Sequence, residues 1–165
     1  MTCAVPQCLP FQIVAVWSQK QPDAGPYRIT ASRFTAGAWT VPVTVSAAGQ
    51  DAYNPRIAVD GAGNRAVVWT ALGSAENDDL FAARYEAGGW TVPVQLETGL
   101  GTVRDPQIDM DADCNAIATW TQSETETGQI VAMSNVYRSD CPVLPPQEPL
   151  EPAPVLNKAA FRRGD

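Results

Sequence analysis

Residues able to do chemistry are few in this chain, and their spacing narrows what that chemistry is. The run Asp109-Met-Asp111-Ala-Asp113-Cys-Asn115 sets three carboxylates two residues apart. Calcium loops use this spacing to converge alternate oxygens on a hard cation, with glycine at the sixth position for the sharp turn. Here Cys114 takes that position, Ile117 the ninth and Trp120 the twelfth. Asp109, Asp111 and Asp113 are therefore a weak calcium candidate, and a solvated turn capped by an aspartate is the expected structure. Six arginines (Arg28, Arg33, Arg56, Arg65, Arg84 and Arg104) and the tyrosines Tyr27, Tyr53 and Tyr85 supply anion-binding and phenolic groups. The chain has no histidine, which removes the commonest general base and the commonest transition-metal ligand. No catalytic set emerges, and neither an enzyme nor a cofactor is expected.

The cysteines Cys3, Cys8, Cys114 and Cys141 form no paired CxxC arrangement, and without histidine a zinc site would require all four thiolates. An even number fits disulfides, with four ordinary thiols as the alternative. The 165 residues are 45% apolar and 18% charged, with a net charge of −7, enough for one domain with a hydrophobic core. The acidic balance argues against nucleic acid and anionic membrane surfaces, which reward clustered Lys and Arg. No run approaches the roughly 18 apolar residues of a membrane span. The first residues lack the basic and apolar regions of a signal peptide, so the chain is expected to be either intracellular or a processed or trimmed form.

Self-similarity organises the rest. Trp17, Trp69 and Trp120 close three related segments and stand 52 and 51 residues apart. The run Trp39-Thr-Val-Pro-Val43 returns 51 residues later as Trp90-Thr-Val-Pro-Val94, and Pro55/Pro106, Arg33/Arg84, Phe34/Tyr85 and Gly37/Gly88 repeat at the same offset. In the middle copy, strand A is expected over Pro55–Asp60, B over Arg65–Ala71, C over Asp79–Glu86 and D over Trp90–Glu97. Turns fall at Gly61–Asn64 and Ala87–Gly89, with a polar loop from Gly73 to Asp78. β-branched residues, partial alternation and glycine-rich turns every 8–12 residues favour an antiparallel meander. No helix is expected, because no segment spaces apolar residues at the helical period. The expected fold is all-β: a β-propeller-like array of about three four-stranded antiparallel blades on a 51-residue repeat. Trp17, Trp39, Trp69, Trp90 and Trp120 are then expected as core between blades, with a stacking platform for sugar rings as the alternative.

The pattern P-x-I-x-x-D-x-x-G-N-x-x-x-x-W, carried by Pro55 to Trp69 and with changes by Pro106 to Trp120, resembles the sialidase-like (BNR-type) repeats of bacterial propellers. The C–D turns Thr35-Ala36-Gly37-Ala38-Trp39 and Glu86-Ala87-Gly88-Gly89-Trp90 resemble a decayed Asp-box, the S-x-D-x-G-x-x-W turn of that superfamily, with the Asp absent from both. The resemblance runs from residue 11 to about 141 and implies a fold more than an activity. A sialidase of this kind needs three arginines on the substrate carboxylate, a Tyr–Glu nucleophile pair and an Asp acid. Arg33 and Arg84 occupy equivalent repeat positions, which suggests a structural role, and nothing places the other arginines on one central face.

The expected organisation is a repeat domain over residues 1–141 (blades about 1–50, 51–101 and 102–141), followed by a proline-rich tail over 142–165. Known propellers close with four or more blades. Three leave edges, to be resolved by a second copy, a longer parent chain or a capping partner. In the repeat register Cys114 falls in the A–B turn of the third blade and Cys141 matches Trp90 at the C–D turn, which meet at one end of a meander. A Cys114–Cys141 disulfide is therefore expected, contributing roughly 3–4 kcal/mol, with Cys3–Cys8 as a local second bond. Both imply a secreted or periplasmic setting, bacterial by the resemblance. The acidic B–C loops (Glu76-Asn77-Asp78-Asp79; Glu124 and Glu126) are expected to be ordinary polar loops, with steering of a cationic partner as the alternative. The terminal Arg163-Gly164-Asp165 is a weak match to an adhesion tripeptide. Proline favours extended geometry in the tail, as in disordered linkers, and an ordered tail is expected to strap against the body or a neighbouring subunit. The first functional reading is a non-catalytic interaction module or scaffold docking on other protein subunits, in a homo- or hetero-oligomer. The second is a carbohydrate-binding propeller domain, or a fragment of a larger glycan-active one.

Overall fold

In the computed structural model, residues 13–73, 77–97, 101–123 and 127–138 are described. They form three antiparallel sheets in chain order and no helix. The first holds β1 (Ile13–Lys20), β2 (Tyr27–Thr35), β3 (Ala38–Trp39) and β4 (Val43–Thr44). The second holds β5 (Ala52–Val59), β6 (Arg65–Leu72), β7 (Asp78–Glu86), β8 (Gly89–Trp90) and β9 (Val94–Gln95). The third holds β10 (Val103–Met110), β11 (Ala116–Ser123) and β12 (Ile130–Tyr137). Each is a meander of blade type, and β5 packs against β1 and β2 of the first sheet and against β10 of the third.

The fourth strand of the repeat is not continuous. The expected strand D over Trp90–Glu97 is split into β8 and β9, which pair separate stretches of β7, and β3 and β4 do the same on β2. Proline explains the break: Pro42 and Pro93 stand between the pieces and have no N–H to give the ladder. The threonine two residues earlier takes over. Thr40 N donates to Arg33 O and Thr91 N to Arg84 O, each at 2.8 Å. The hydroxyl Oγ1 of each threonine accepts from the same arginine's backbone N at 3.0 Å. The turns before these strands place Ala36-Gly37 and Ala87-Gly88 at positive φ, the double left-handed conformation of a type I′ hairpin.

Strand A also departs from expectation: β5 begins at Ala52, three residues ahead of Pro55. The register of β5 on β6 shifts between Tyr53 and Arg56, and that of β10 on β11 between Arg104 and Gln107. Asn54 and Asp105 sit in these bulges with φ of 51° and 52°, a conformation short polar side chains tolerate best. The bulge places each following proline where no ladder donor is required.

Burial follows the number of neighbours each blade has. β6 is buried from Arg65 through Ala71, because the middle sheet is covered on both faces. Its residues alternate between two cores. Val67, Trp69 and Ala71 pack with Ile29, Ala31, Val45, Ala52 and Ala83 of the first interface. Val68 packs with Leu80, Val103, Ala118 and Trp120 of the second. β11 alternates strictly at its start, with Ala116, Ala118 and Trp120 buried and Ile117 and Thr119 exposed, because only one of its faces meets another described sheet.

The tryptophans therefore do not share one environment. Trp69 and Trp120 are buried, Trp17 and Trp90 half-buried, and Trp39 is 51% exposed. The expectation of five core tryptophans is corrected at Trp39, which stands at the end of β3 and packs edge-on against Phe34 with ring centroids 5.5 Å apart.

Candidate functional site

Two clefts open between neighbouring blades, and the repeat relates them residue by residue. The cleft between the first and second blades, about 400 Å³, is lined by Ala31, Ser32, Arg33, Thr40, Val41 and Val43 from the first. Across it stand Arg65, Tyr85 and Trp90 of the second. The cleft between the second and third blades, about 330 Å³, is lined at the matching positions by Ala82, Ala83, Arg84, Thr91, Val92 and Val94. Its far wall is Ile108, Ala116, Ala118, Asn135 and Tyr137. The C strand of each blade supplies the floor, and the kinked D segment supplies the outer wall through the threonine clamp described above.

Their chemistry differs. In the first–second cleft Tyr85 and Trp90 meet edge to face at 5.5 Å and 78°, a favoured aromatic geometry. Tyr85 is held in place by donating from its hydroxyl to Gly88 O at 2.9 Å. The Arg65 guanidinium lies 4.5 Å over the Tyr85 ring, a cation–π contact. Burial, and then the neighbouring Arg33, holds Arg65 below the ordinary arginine range. Ser32 Oγ donates to Thr40 O at 2.7 Å, so that hydroxyl is committed to the frame. In the second–third cleft Arg84 Nη2 pairs with Glu86 Oε1 at 2.9 Å, and its guanidinium lies 3.5 Å over the Tyr137 ring. Apart from Arg84, Thr91, Asn135 and Tyr137, that cleft is lined by alanine, valine, leucine and isoleucine.

The other candidate residues fall elsewhere. Arg28 donates through Nε to Ser46 Oγ at 3.2 Å and through Nη2 to Ser46 O at 2.7 Å. Arg56 donates to Pro55 O at 3.0 Å, and Arg104 is exposed on β10. Tyr27 and Tyr53 pack on each other at 5.1 Å across the first interface. Arg33 and Arg65 thus share a cleft, while Arg28, Arg56 and Arg84 are each engaged in other contacts. Arg33 and Arg84, equivalent in the repeat, share a backbone frame and differ in their side-chain contacts.

Asp111 caps its own turn. Its Oδ1 accepts from Asp113 N and Asn115 N, both at 2.9 Å, and its Oδ2 from Asn115 Nδ2 at 2.7 Å. The Asn115 side-chain bond leads in holding the Asp111 carboxyl below the usual range. Asp109 Oδ1 accepts from Met110 N, and among the described residues no group of three acidic, cysteine or histidine side chains is placed to hold a metal. Asp60 builds the same turn in the second blade, accepting from Ala62 N, Asn64 N and Asn64 Nδ2 at 2.7–2.9 Å. Asn64 Nδ2 also reaches Cys114 Sγ at 2.9 Å, bridging the two turns. Cys114 is buried and has φ of 62° at the place of Gly63 in the second blade, a strained setting for a side-chain-bearing residue.

Cys3, Cys8 and Cys141 lie outside the described residues, as do Glu76, Glu124, Glu126, the tail over 142–165 and its terminal Arg163-Gly164-Asp165. Of the acidic loops, Asn77, Asp78 and Asp79 are described, and Asp79 lies on β7. The Asp79 carboxyl lies above the usual range through burial, then through Glu97 and Asp78. Glu97 is buried and accepts at Oε1 from Gln95 Nε2 at 2.9 Å and from Leu80 N at 3.4 Å. The first blade has Arg28 and Ser46 at the matching places, so the two blades differ in charge at this end.

Sequence reasoning did not single out Thr40, Thr91, Asn135 or Tyr137 as parts of a site. The repeated Trp-Thr-Val-Pro-Val run carried a signal for the threonines. Nothing local marks Asn135 and Tyr137, whose roles depend on a neighbouring sheet. Among the described residues no helix is long and apolar enough to cross a membrane. No family model matches the chain, and no curated protein matches it. Among solved structures the chain is similar to a fucose lectin from Kordia zhangzhouensis, in complex with methyl-fucoside. The identity is 14% and the TM-score 0.44, with 76% of this chain and 85% of that chain covered.

Proposed function

We propose that this protein is a non-catalytic binding module that takes a saccharide in the cleft between its first and second blades. The observation that carries this reading is the meeting, in one open cleft of about 400 Å³, of the Tyr85–Trp90 pair with Arg33 and Arg65. Sugar rings present C–H faces that pack on aromatic rings and hydroxyls that accept from fixed donors, and concave sites combine apolar walls with a few convergent polar groups. The half-exposed Trp39 and Trp90 also favour binding over a purely structural role for the tryptophans.

The whole chain, tested on a glycan array, is expected to retain a subset of oligosaccharides, and Tyr85→Ala is expected to weaken retention about tenfold, roughly 1.4 kcal/mol. A second reading, docking on other protein subunits, is favoured by the edge of β12. Among the described residues β12 pairs with β11 alone, and it exposes Ile130, Met133 and Val136, an edge of the kind that recruits another chain. An array without signal, together with a solution mass near twice 17.6 kDa, would replace the first reading by the second.

The proposed setting is secreted or periplasmic. Cys114 carries no free thiol, the cysteine number is even, and disulfides persist in oxidising compartments. Thiol titration of the denatured, unreduced chain is expected to find none. Four reactive thiols would remove the argument.

A further inference from the structure

We propose that the cleft between the first and second blades selects saccharides that carry an oxyanion, a carboxylate or a sulfate, with Arg33 as the receiving group. This inference rests on the reading of that cleft as a sugar site and adds the charge of its ligand.

The repeat itself provides the control. Arg33 and Arg84 leave their strands from the same frame, each held by a threonine that donates to its carbonyl and accepts from its backbone N. The frames match, but the guanidinium environments do not. Arg84 is neutralised by Glu86 at 2.9 Å and covered by Tyr137. At the place of Glu86 the first blade has Thr35, and Arg33 forms no ion pair among the described residues. The opposite wall differs in the same sense, with Arg65 where the second–third cleft has Ala116. Arg33 thus lines a cleft with no Asp or Glu among its lining residues, and Arg84 lines one with its charge already paired.

This placement runs against the composition. The chain has 18 acidic and 11 basic residues, so a carboxylate was the commoner charge to find beside two arginines. Two guanidinium groups in one partly buried cleft repel each other, and an incoming oxyanion relieves that repulsion. The guanidinium fork fits planar carboxylate and sulfate oxygens through paired N–H bonds, which a neutral hydroxyl cannot match. Tyr85 beneath Arg65 fixes the plane of one wall.

The test uses the whole chain on an array of neutral oligosaccharides beside counterparts bearing glucuronate or a 6-O-sulfate. The charged members are expected to be retained at least about tenfold better than their neutral counterparts, with the preference shrinking in high salt. The two charged series show which oxyanion fits better. Arg33→Gln is expected to abolish the preference, bringing retention of the charged members down at least about tenfold, to that of their neutral counterparts. Thr35→Glu leaves the arginine in place and supplies the partner that Arg84 has, and it is expected to do the same. Circular dichroism confirms that both variants fold. Equal or better retention of the neutral members by the unaltered chain overturns the oxyanion inference and leaves the sugar reading standing. No retention of any member overturns both.

Discussion

Replacing Trp69 by alanine will lower the stability of the protein by about 3–5 kcal/mol, the cost of deleting a buried large aromatic side chain. Trp69 is 1% exposed, stacks on Phe81 with ring centroids 6.2 Å apart, and packs among Ile29, Val45 and Ala71 where the first two blades meet. Its removal opens a cavity in a core shared by two sheets, and the middle sheet cannot close the gap without giving up contacts with the third on its other face. Domains of this size are stable by only about 5–15 kcal/mol, so the variant is expected near the edge of folding. Urea denaturation followed by tryptophan fluorescence checks this. The exposed Trp39 provides the contrast, and Trp39→Ala is expected to cost less than about 1 kcal/mol. Equal losses at the two sites would show that the first interface is not the core described here.

Asp60→Ala should be the second large loss, about 2–3 kcal/mol, since bonds to a charged acceptor contribute more than neutral ones and their donors are left wanting. Asp60 is 8% exposed and accepts three bonds that close the turn between β5 and β6. That turn also fixes Asn64, whose side chain reaches Cys114 in the next blade, so the damage extends to the second interface. Asp111→Ala removes the matching bonds from an exposed turn, where water replaces the lost acceptor. Its loss is expected to be the smaller of the two. Thermal unfolding of both variants by differential scanning calorimetry distinguishes them, and a neutral Asp60→Ala would refute the role assigned to the turn.

The architecture was legible because its signals are local. Period-two apolar residues, Ala-Gly turns at positive φ and a 51-residue recurrence are properties of short segments, and they predict a meander repeated along the chain. The bounds of strands A and D departed from expectation for a reason equally local. Pro55 and Pro106 follow bulges, and Pro42 and Pro93 split strand D, because a residue without N–H shifts the ladder instead of ending it. The candidate site was half legible. Arg33, Tyr85 and Trp90 were all marked by the repeat and by residue type, but nothing in the sequence brought them to one cleft.

Identical residues acquired different roles only when sheets met. Trp39 and Trp90 match in the repeat, yet Trp39 is 51% exposed and Trp90 packs against the core of the first interface. Arg33 and Arg84 match as well, and one faces an open cleft while the other is paired and covered. A strand's alternation decides which residues share a face, since that depends on backbone geometry alone. Whether a face is buried, open or charged depends on what the next blade presents to it. That pairing across tens of residues is written in no single segment, and it separates two clefts built from one repeat.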